Sequence, residues 1–168
     1  MRLFHVSEQA GIERFEPRSI EGASDPLVWA IDDDRLRNYV VPRDCPRVTY
    51  YASTSTSRSD VERFLGASAA VMAFERKWLD RVRSARVFCY QLPPESFELV
   101  DSCAGYFVSR QPVVPMSVLV VNDCLNELGR RGVDVRVVSS LWPLHDAVAA
   151  STLEFSMIRM RNAAPRSG

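Results

Sequence analysis

Apolar positions along the 168-residue chain fall into short runs with polar punctuation between them. Met1 to Val6 alternates well enough for a first strand, with Leu3 and His5 on one face. Ser7 is placed to cap a single helical turn before Phe15-Glu-Pro. Arg18 to Pro26 is polar and reads as a loop, and Pro26-Leu-Val-Trp-Ala-Ile as a second strand. Asp32-Asp-Asp then opens a helix through Arg35-Leu-Arg-Asn-Tyr-Val, because carboxylates favour the positive end of a helix dipole. Pro42 ends it, and Val48-Thr-Tyr-Tyr-Ala is a third strand.

After a Ser/Thr/Arg loop from Ser53 to Ser59, Asp60 or Ser59 caps the longest predicted helix, Val61 to about Arg83. Its apolar residues, Val61, Phe64, Leu65, Val71, Met72, Trp78, Leu79 and Val82, are spaced mostly by three, four and seven. From Arg86 the pattern turns to strands: Arg86-Val-Phe-Cys-Tyr-Gln-Leu, Phe97-Glu-Leu-Val, Gly105-Tyr-Phe-Val-Ser-Arg and Pro115-Met-Ser-Val-Leu-Val-Val. A helix follows from Cys124 to Arg131, closed by Gly132, then the strand Val133-Asp-Val-Arg-Val-Val. A last short helix runs from Leu141 to Ala150 with Pro143 in its first turn. Thr152 to Met160 fits either a continuation of that helix or an edge segment. Strands that alternate with helices and then cluster between residues 86 and 121 predict an α+β fold. We expect one domain over residues 1–162, with a mixed or antiparallel central sheet flanked by helices, and a flexible tail over 163–168.

Twenty-one basic and 21 acidic residues give zero net charge, which excludes a polyanion binder working through bulk charge. The charge is uneven, however: residues 1–34 carry −5, residues 35–47 carry +3, and the tail from residue 155 carries +3. The four cysteines are scattered and form neither a CxxC nor a Cys-His pair at zinc spacing, so no metal is expected. With no apolar stretch of signal-peptide or membrane-spanning length, a soluble cytoplasmic protein of bacterial type is expected, without a membrane partner. P-loop, dinucleotide-fingerprint, nucleophile-elbow and HExxH patterns are absent.

The candidate chemistry lies in Leu3-Phe4-His5-Val6-Ser7. A histidine and a hydroxyl residue two positions apart on a strand point to the same side of the pleat, and together suit a ribose diol or a carboxamide. The plainer alternative is a hydrogen-bonded histidine at a strand edge, with Ser7 as an ordinary cap. Arg35, Arg37, Arg43 and Arg47 sit beside Tyr39 and Tyr50 and suit a phosphate and a stacked base, or else pair with Asp32, Asp33 and Asp34. Trp29 and Trp142 read as core or pocket-wall aromatics.

The order of these features resembles the ADP-ribosyltransferase superfamily, including its RNA 2'-phosphotransferase branch. Histidine-type members open with a strand similar to Leu3-Phe4-His5-Val6-Ser7. Val28-Trp29-Ala30-Ile31 with Tyr39 stands where a second motif would be. The third motif carries a glutamate at the start of a late strand, where this chain has Ala104-Gly105-Tyr106 and no carboxylate. The resemblance implies an ADP-ribosyltransferase-like architecture that binds NAD or a related nucleotide. His5, Ser7, Trp29, Tyr39, Arg35 and Arg43 would be cofactor-binding, and His5, Tyr106 and Arg110 catalytic. It further implies a nucleic-acid or protein target for any transfer, with turnover in question because the glutamate is missing. Through Leu141-Trp-Pro-Leu and Phe155-Ser-Met-Ile-Arg-Met-Arg-Asn the whole chain resembles an uncharacterised bacterial family of unknown function, which implies no activity. The alternatives are a non-catalytic nucleotide-binding module, and a protein-interaction domain that docks a partner on an apolar helix face or an exposed strand edge.

Overall fold

Ten strands and four helices form among residues 1–19 and 25–166, the part of the chain that the computed structural model describes. In chain order they are β1 (Leu3–Ser7), β2 (Val28–Asp32), β3 (Arg47–Tyr51), α1 (Arg58–Asp60), β4 (Ala70–Glu75), α2 (Leu79–Ser84), β5 (Val87–Leu92), β6 (Glu98–Asp101), β7 (Tyr106–Ser109), β8 (Ser117–Val121), α3 (Cys124–Arg130), β9 (Val133–Val138), α4 (Trp142–Ala149) and β10 (Glu154–Ile158). The expected α+β class holds, with one antiparallel and one mixed sheet. The chain folds as two compact units, each made of two sequence segments: Met1–Val40 with Arg86–Asn122, and Val41–Ala85 with Asp123–Gly168.

The first unit holds a six-stranded sheet in the order β6-β7-β2-β1-β5-β8, antiparallel at every step. Alternate residues of its strands supply one core: Leu3, Val28, Ala30, Phe88, Tyr90, Leu92 and Phe107. Phe15 and Val113 close over it, clipped together by two backbone hydrogen bonds of 2.8 and 2.9 Å. No helix follows Ser7; its hydroxyl accepts the Gln9 amide instead. The acidic triplet also opens no long helix. Asp32 caps a turn by accepting the Arg35 amide (2.8 Å), and one 3-10 turn, Leu36–Asn38, follows. The loop expected over 18–26 is clipped at its ends by the Arg18–Leu27 backbone pair, and residues 20–24 lie outside the described part.

In the second unit the sheet order is β10-β3-β4-β9, with β4 and β9 parallel and the other neighbours antiparallel. Here the helix expected from Val61 to Arg83 is corrected. Ser57, not Asp60 or Ser59, caps α1, accepting the Asp60 amide, and a π-helical turn over Val61–Leu65 ends at Gly66 in the left-handed region (φ 59°). Ala70–Glu75 is then a strand, buried along its whole length, and helix resumes only with α2. A strand covered on both faces is apolar at consecutive positions and carries no two-residue alternation. Chance spacings of three and four with its neighbours then imitate a helix. Val71 and Ala73 of β4 join Val48 and Tyr50 of β3 beneath Phe64, Leu65, Leu141, Val148 and Leu153. The segment left open between helix and edge strand is β10.

Glu75, at the end of β4, is 1% exposed, so its carboxylate must find partners inside the protein. It accepts the amides of Leu141 (3.3 Å) and Ala164 (3.0 and 2.9 Å) and pairs with Lys77, the chain's one lysine, at 3.2 Å. The segment beyond residue 162, expected to be flexible, is therefore held as far as Arg166. Trp142 Nε1 donates to Ala164 O (2.6 Å), and Arg166 makes a two-bond pair with Asp146 (2.7 and 2.9 Å) while lying 4.1 Å over the Trp142 ring.

Removing one partner from a buried charged cluster leaves the others unsatisfied. Glu75→Ala should therefore cost about 3 kcal/mol, a drop on the order of 10 °C in the thermal midpoint followed by circular dichroism. An unchanged midpoint would show that the carboxylate does not tie β4 to the C-terminal segment. A second expectation concerns acid. Hydrogen bonds from Arg166, and then from His145, hold the Asp146 carboxyl well below the usual carboxylate range. A group depressed in the folded state contributes stability above its unfolded pKa of about 4 and loses it as pH falls further. The midpoint of Arg166→Ala should accordingly lie below that of the wild type at neutral pH. The two curves should converge as pH drops below about 4.

Candidate functional site

β1 lies between β5 and β2, and its two ladders differ. Against β5 all five residues pair, from Leu3↔Leu92 to Ser7↔Phe88. Against β2 only Leu3↔Asp32 and Phe4↔Ile31 pair. At the next residue the His5 side chain spans the gap, its Nδ1 2.8 Å from the carbonyl oxygen of Trp29. A carbonyl can only accept, so Nδ1 carries the proton in this bond. The imidazole packs on Phe15 (4.7 Å between ring centres), which meets Tyr90 edge-on at 5.4 Å. The Tyr90 hydroxyl donates to Gln9 O (2.8 Å) and accepts the Ile12 amide (3.1 Å), so the segment after β1 is pinned across this face. His5 and Ser7 share that face, as their spacing predicts, and the Ser7 hydroxyl is engaged by Gln9.

A second group forms at the other candidate positions. Ile31 pairs with both Phe4 and Tyr106, so the pleat sends Phe4, Ile31 and Tyr106 to the face opposite His5. Trp29, two residues from Ile31, shares it and meets Tyr106 edge-to-face at 5.8 Å. Tyr39 joins through its hydroxyl, 2.6 Å from that of Tyr106. Arg35 lies beside the start of β7. Its guanidinium reaches Asp32 at 3.3 Å and the carbonyls of Ser102 and Cys103 at 3.4 Å, all longer than the 2.7–2.9 Å usual for charge-assisted bonds. Two donors here are buried without a partner, Trp29 Nε1 and Arg35 Nε. Gly105, at φ 66°, makes the close approach possible: a Cβ there would stand 2.6 Å from Asp32 Oδ2 and 3.0 Å from Arg35 Cδ.

The expected residues thus separate. Trp29, Tyr39 and Tyr106 come together, Arg35 lies with Asp32 and residues 102–105 where β7 is about to begin, and His5 reaches Trp29 only through its carbonyl. Arg110, past the far end of β7, pairs with Glu98 at 3.1 Å on the exposed surface. The three residues expected to act together, His5, Tyr106 and Arg110, are therefore not assembled on one face. Arg43 lies in the second unit, where its carbonyl accepts from Arg47 (3.2 Å); the buried Arg47 also donates to Cys45 O (2.8 Å). Burial pushes the Cys45 thiol up to about 12, so it is a proton-bearing filler at neutral pH. Asp32 and Gly105 were not among the sequence candidates as site residues. The signal available for them was an Asp three residues before an Arg, and a glycine where a β-strand starts. Among the described residues no three His, Cys, Asp or Glu side chains stand together as a metal-ligand set, and no helix is long and apolar enough to cross a membrane.

Residues 4–163 match the model of a family described as a family of unknown function (DUF6886). No curated protein and no solved structure matches the chain.

The Gly105 geometry is open to direct measurement. Gly105→Ala should cost about 2 kcal/mol in denaturant unfolding, because it adds a left-handed-region penalty to a clash with Asp32. Gly132→Ala, also at positive φ (72°) but with open space around its Cβ, should cost less. Equal costs would mean that backbone conformation alone, and not the Asp32 approach, demands glycine at 105.

Proposed function

The chain belongs to this family of unknown function, and from that premise we propose that it binds NAD or a related nucleotide through Trp29, Tyr39, Tyr106 and Arg35. The observation that carries the reading is the pair of partnerless buried donors, Trp29 Nε1, on a ring that meets Tyr106 edge-to-face, and Arg35 Nε, on the side chain that approaches Gly105. A buried N–H without an acceptor costs free energy, and a ligand rich in acceptors relieves that cost on binding. A nucleotide offers such acceptors in its phosphates, together with a flat ring for an aromatic wall and ribose hydroxyls for tyrosine oxygens. Arg35 takes the phosphate in this reading, since its present bonds are long and give way to shorter charged ones.

The ADP-ribosyltransferase-like form of the proposal draws support from sheet order. The three strands that bear the resembling motifs, β1 with His5, β2 with Trp29 and β7 with Tyr106, are consecutive neighbours. His5 then acts as a positioning residue that holds the Trp29 backbone where the β1–β2 ladder stops. A carboxylate does stand against Gly105, the residue before β7, contributed by Asp32 of the adjacent strand, but Arg35 already engages it. The reading therefore ends at binding, with transfer chemistry no part of it.

Calorimetric titration with NAD and with ADP-ribose tests it. Heat is expected with both, and Trp29→Leu or Arg35→Ala should weaken binding by about 10- to 100-fold, the worth of a hydrogen bond to a charged group. His5→Ala should weaken it by a smaller factor. Absence of heat at millimolar nucleotide sinks the proposal, and full affinity in both Trp29→Leu and Arg35→Ala moves the site elsewhere.

A further inference from the structure

A phosphate that draws the Arg35 guanidinium to itself takes a cation away from Asp32. The two oxygens of that carboxylate are used unequally. Oδ1 accepts the Arg35 backbone amide at 2.8 Å, a turn-capping bond that survives any movement of the guanidinium. Oδ2 meets Nη1 of Arg35 at 3.3 Å, beyond the usual range of a charge-assisted bond. Only 21% of the Asp32 side chain and 25% of the Arg35 side chain reach the surface, so neither ion is fully hydrated once they part. A ligand that parts them therefore has to bring an anion for the guanidinium and hydrogen-bond donors for the carboxylate.

The residue across from Asp32 keeps that carboxylate approachable. Ile31 pairs with Tyr106, and the Asp32 amide donates to Gly105 O at 3.1 Å, so Asp32 and Gly105 are cross-strand neighbours. A Cβ at 105 would stand 2.6 Å from Oδ2 and 2.9 Å from the carboxylate carbon. Glycine alone lets the carboxylate rest against the backbone there, with no side chain of residue 105 beside Oδ2.

We propose that Asp32 is the specificity-determining residue of this site, its carboxylate accepting the 2'- and 3'-hydroxyls of a ribonucleotide whose phosphate Arg35 holds. The inference rests on the nucleotide reading above and narrows its ligand from nucleotides in general to ribonucleotides. A carboxylate only accepts, and a vicinal diol offers two donors side by side. It is also a stronger acceptor for them than the neutral tyrosine oxygens. The base amino group is the other donor a nucleotide carries, and the ribose is favoured on connectivity. Asp32 adjoins Arg35 directly, and in a nucleotide the ribose is the group joined directly to the phosphate, with the base beyond it.

Titration calorimetry of the full chain with ADP, 2'-deoxy-ADP and inorganic pyrophosphate tests this, with a chelator present so that no metal ion bridges phosphate and carboxylate. ADP should bind about 10- to 100-fold more tightly than 2'-deoxy-ADP, the worth of a hydrogen bond to a charged group. Asp32→Asn keeps an oxygen to cap the turn, and should cut that preference to less than about threefold. Pyrophosphate, which carries no ribose, should bind Asp32→Asn several-fold more tightly, because the carboxylate no longer competes for Arg35. A purely structural role for Asp32 would instead weaken pyrophosphate along with ADP, and that result overturns the inference. Should Asp32→Asn fail to fold, the wild-type comparison of ADP with 2'-deoxy-ADP decides alone. Equal affinities there overturn the inference and leave the nucleotide reading standing. So does a preference for ADP that folded Asp32→Asn retains, or silence with ADP where ADP-ribose binds. Absence of heat with ADP, ADP-ribose and NAD alike removes both.

Discussion

Where the β1–β2 ladder stops, the backbone has lost its regular partner, and an imidazole takes that partner's place. The bond from His5 Nδ1 to the Trp29 carbonyl joins the strands at the residue where their pairing ends. Much of the first unit depends on it. On one face the ring continues the core through Phe15 and Tyr90. Through the carbonyl it holds the residue whose side chain leaves the other face to meet Tyr106. Buried backbone groups need partners, and a side chain that supplies one makes an irregular sheet affordable where a functional group is to be displayed.

The buried charged groups of the second unit differ from those around Gly105, although Thr49 Oγ1 and Trp78 Nε1 of the second unit also lie buried without a partner. In the second, Glu75 and Arg47 are almost wholly buried and are absorbed by the backbone: Glu75 takes amides from Leu141 and Ala164, and Arg47 gives bonds to the carbonyls of residues 43 and 45. Such groups organise the chain and leave little capacity for a ligand. Around Gly105 in the first unit the bonds are long, two donors stand without acceptors, and a glycine keeps space for a carboxylate. The long bonds of Arg35 and the close approach at Gly105, more than the presence of any one residue type or any one unpartnered donor, separate the candidate binding site from the structural clusters.

How far the sequence could be read follows from the physics of each segment. α4, with proline in its first turn, and α3, stopped by Gly132, were legible because helix termini announce themselves locally. The strands from 87 to 121 were legible because breaks at Pro93, Pro94, Pro112 and Pro115 frame them. β4 was not, since a strand buried on both faces has no polar phase by which to be recognised. The short 3-10 turn after Asp32 was hidden for another reason: an aspartate that caps a tight turn and one that opens a helix look alike in one dimension. Of the candidate site, the alternation that places His5 and Ser7 together was readable. That Ser7 is already engaged by Gln9 was not, because local hydroxyl bonds compete with any distant ligand and only the folded backbone decides which wins.

The α+β class, most of the strand set, and the chemical character of His5, Trp29, Tyr39, Arg35 and Tyr106 follow from sequence alone, because each depends on local pattern or side-chain chemistry. Strand order, register and face were decided only by tertiary structure. A shift of one residue in pairing exchanges the two faces of a strand, and nothing within the strand records which neighbour sets the register. Pairing through Ile31 is what sends His5 and Tyr106 to opposite faces. Position at the end of the order is likewise what leaves β8, a strand like any other in one dimension, as an open edge.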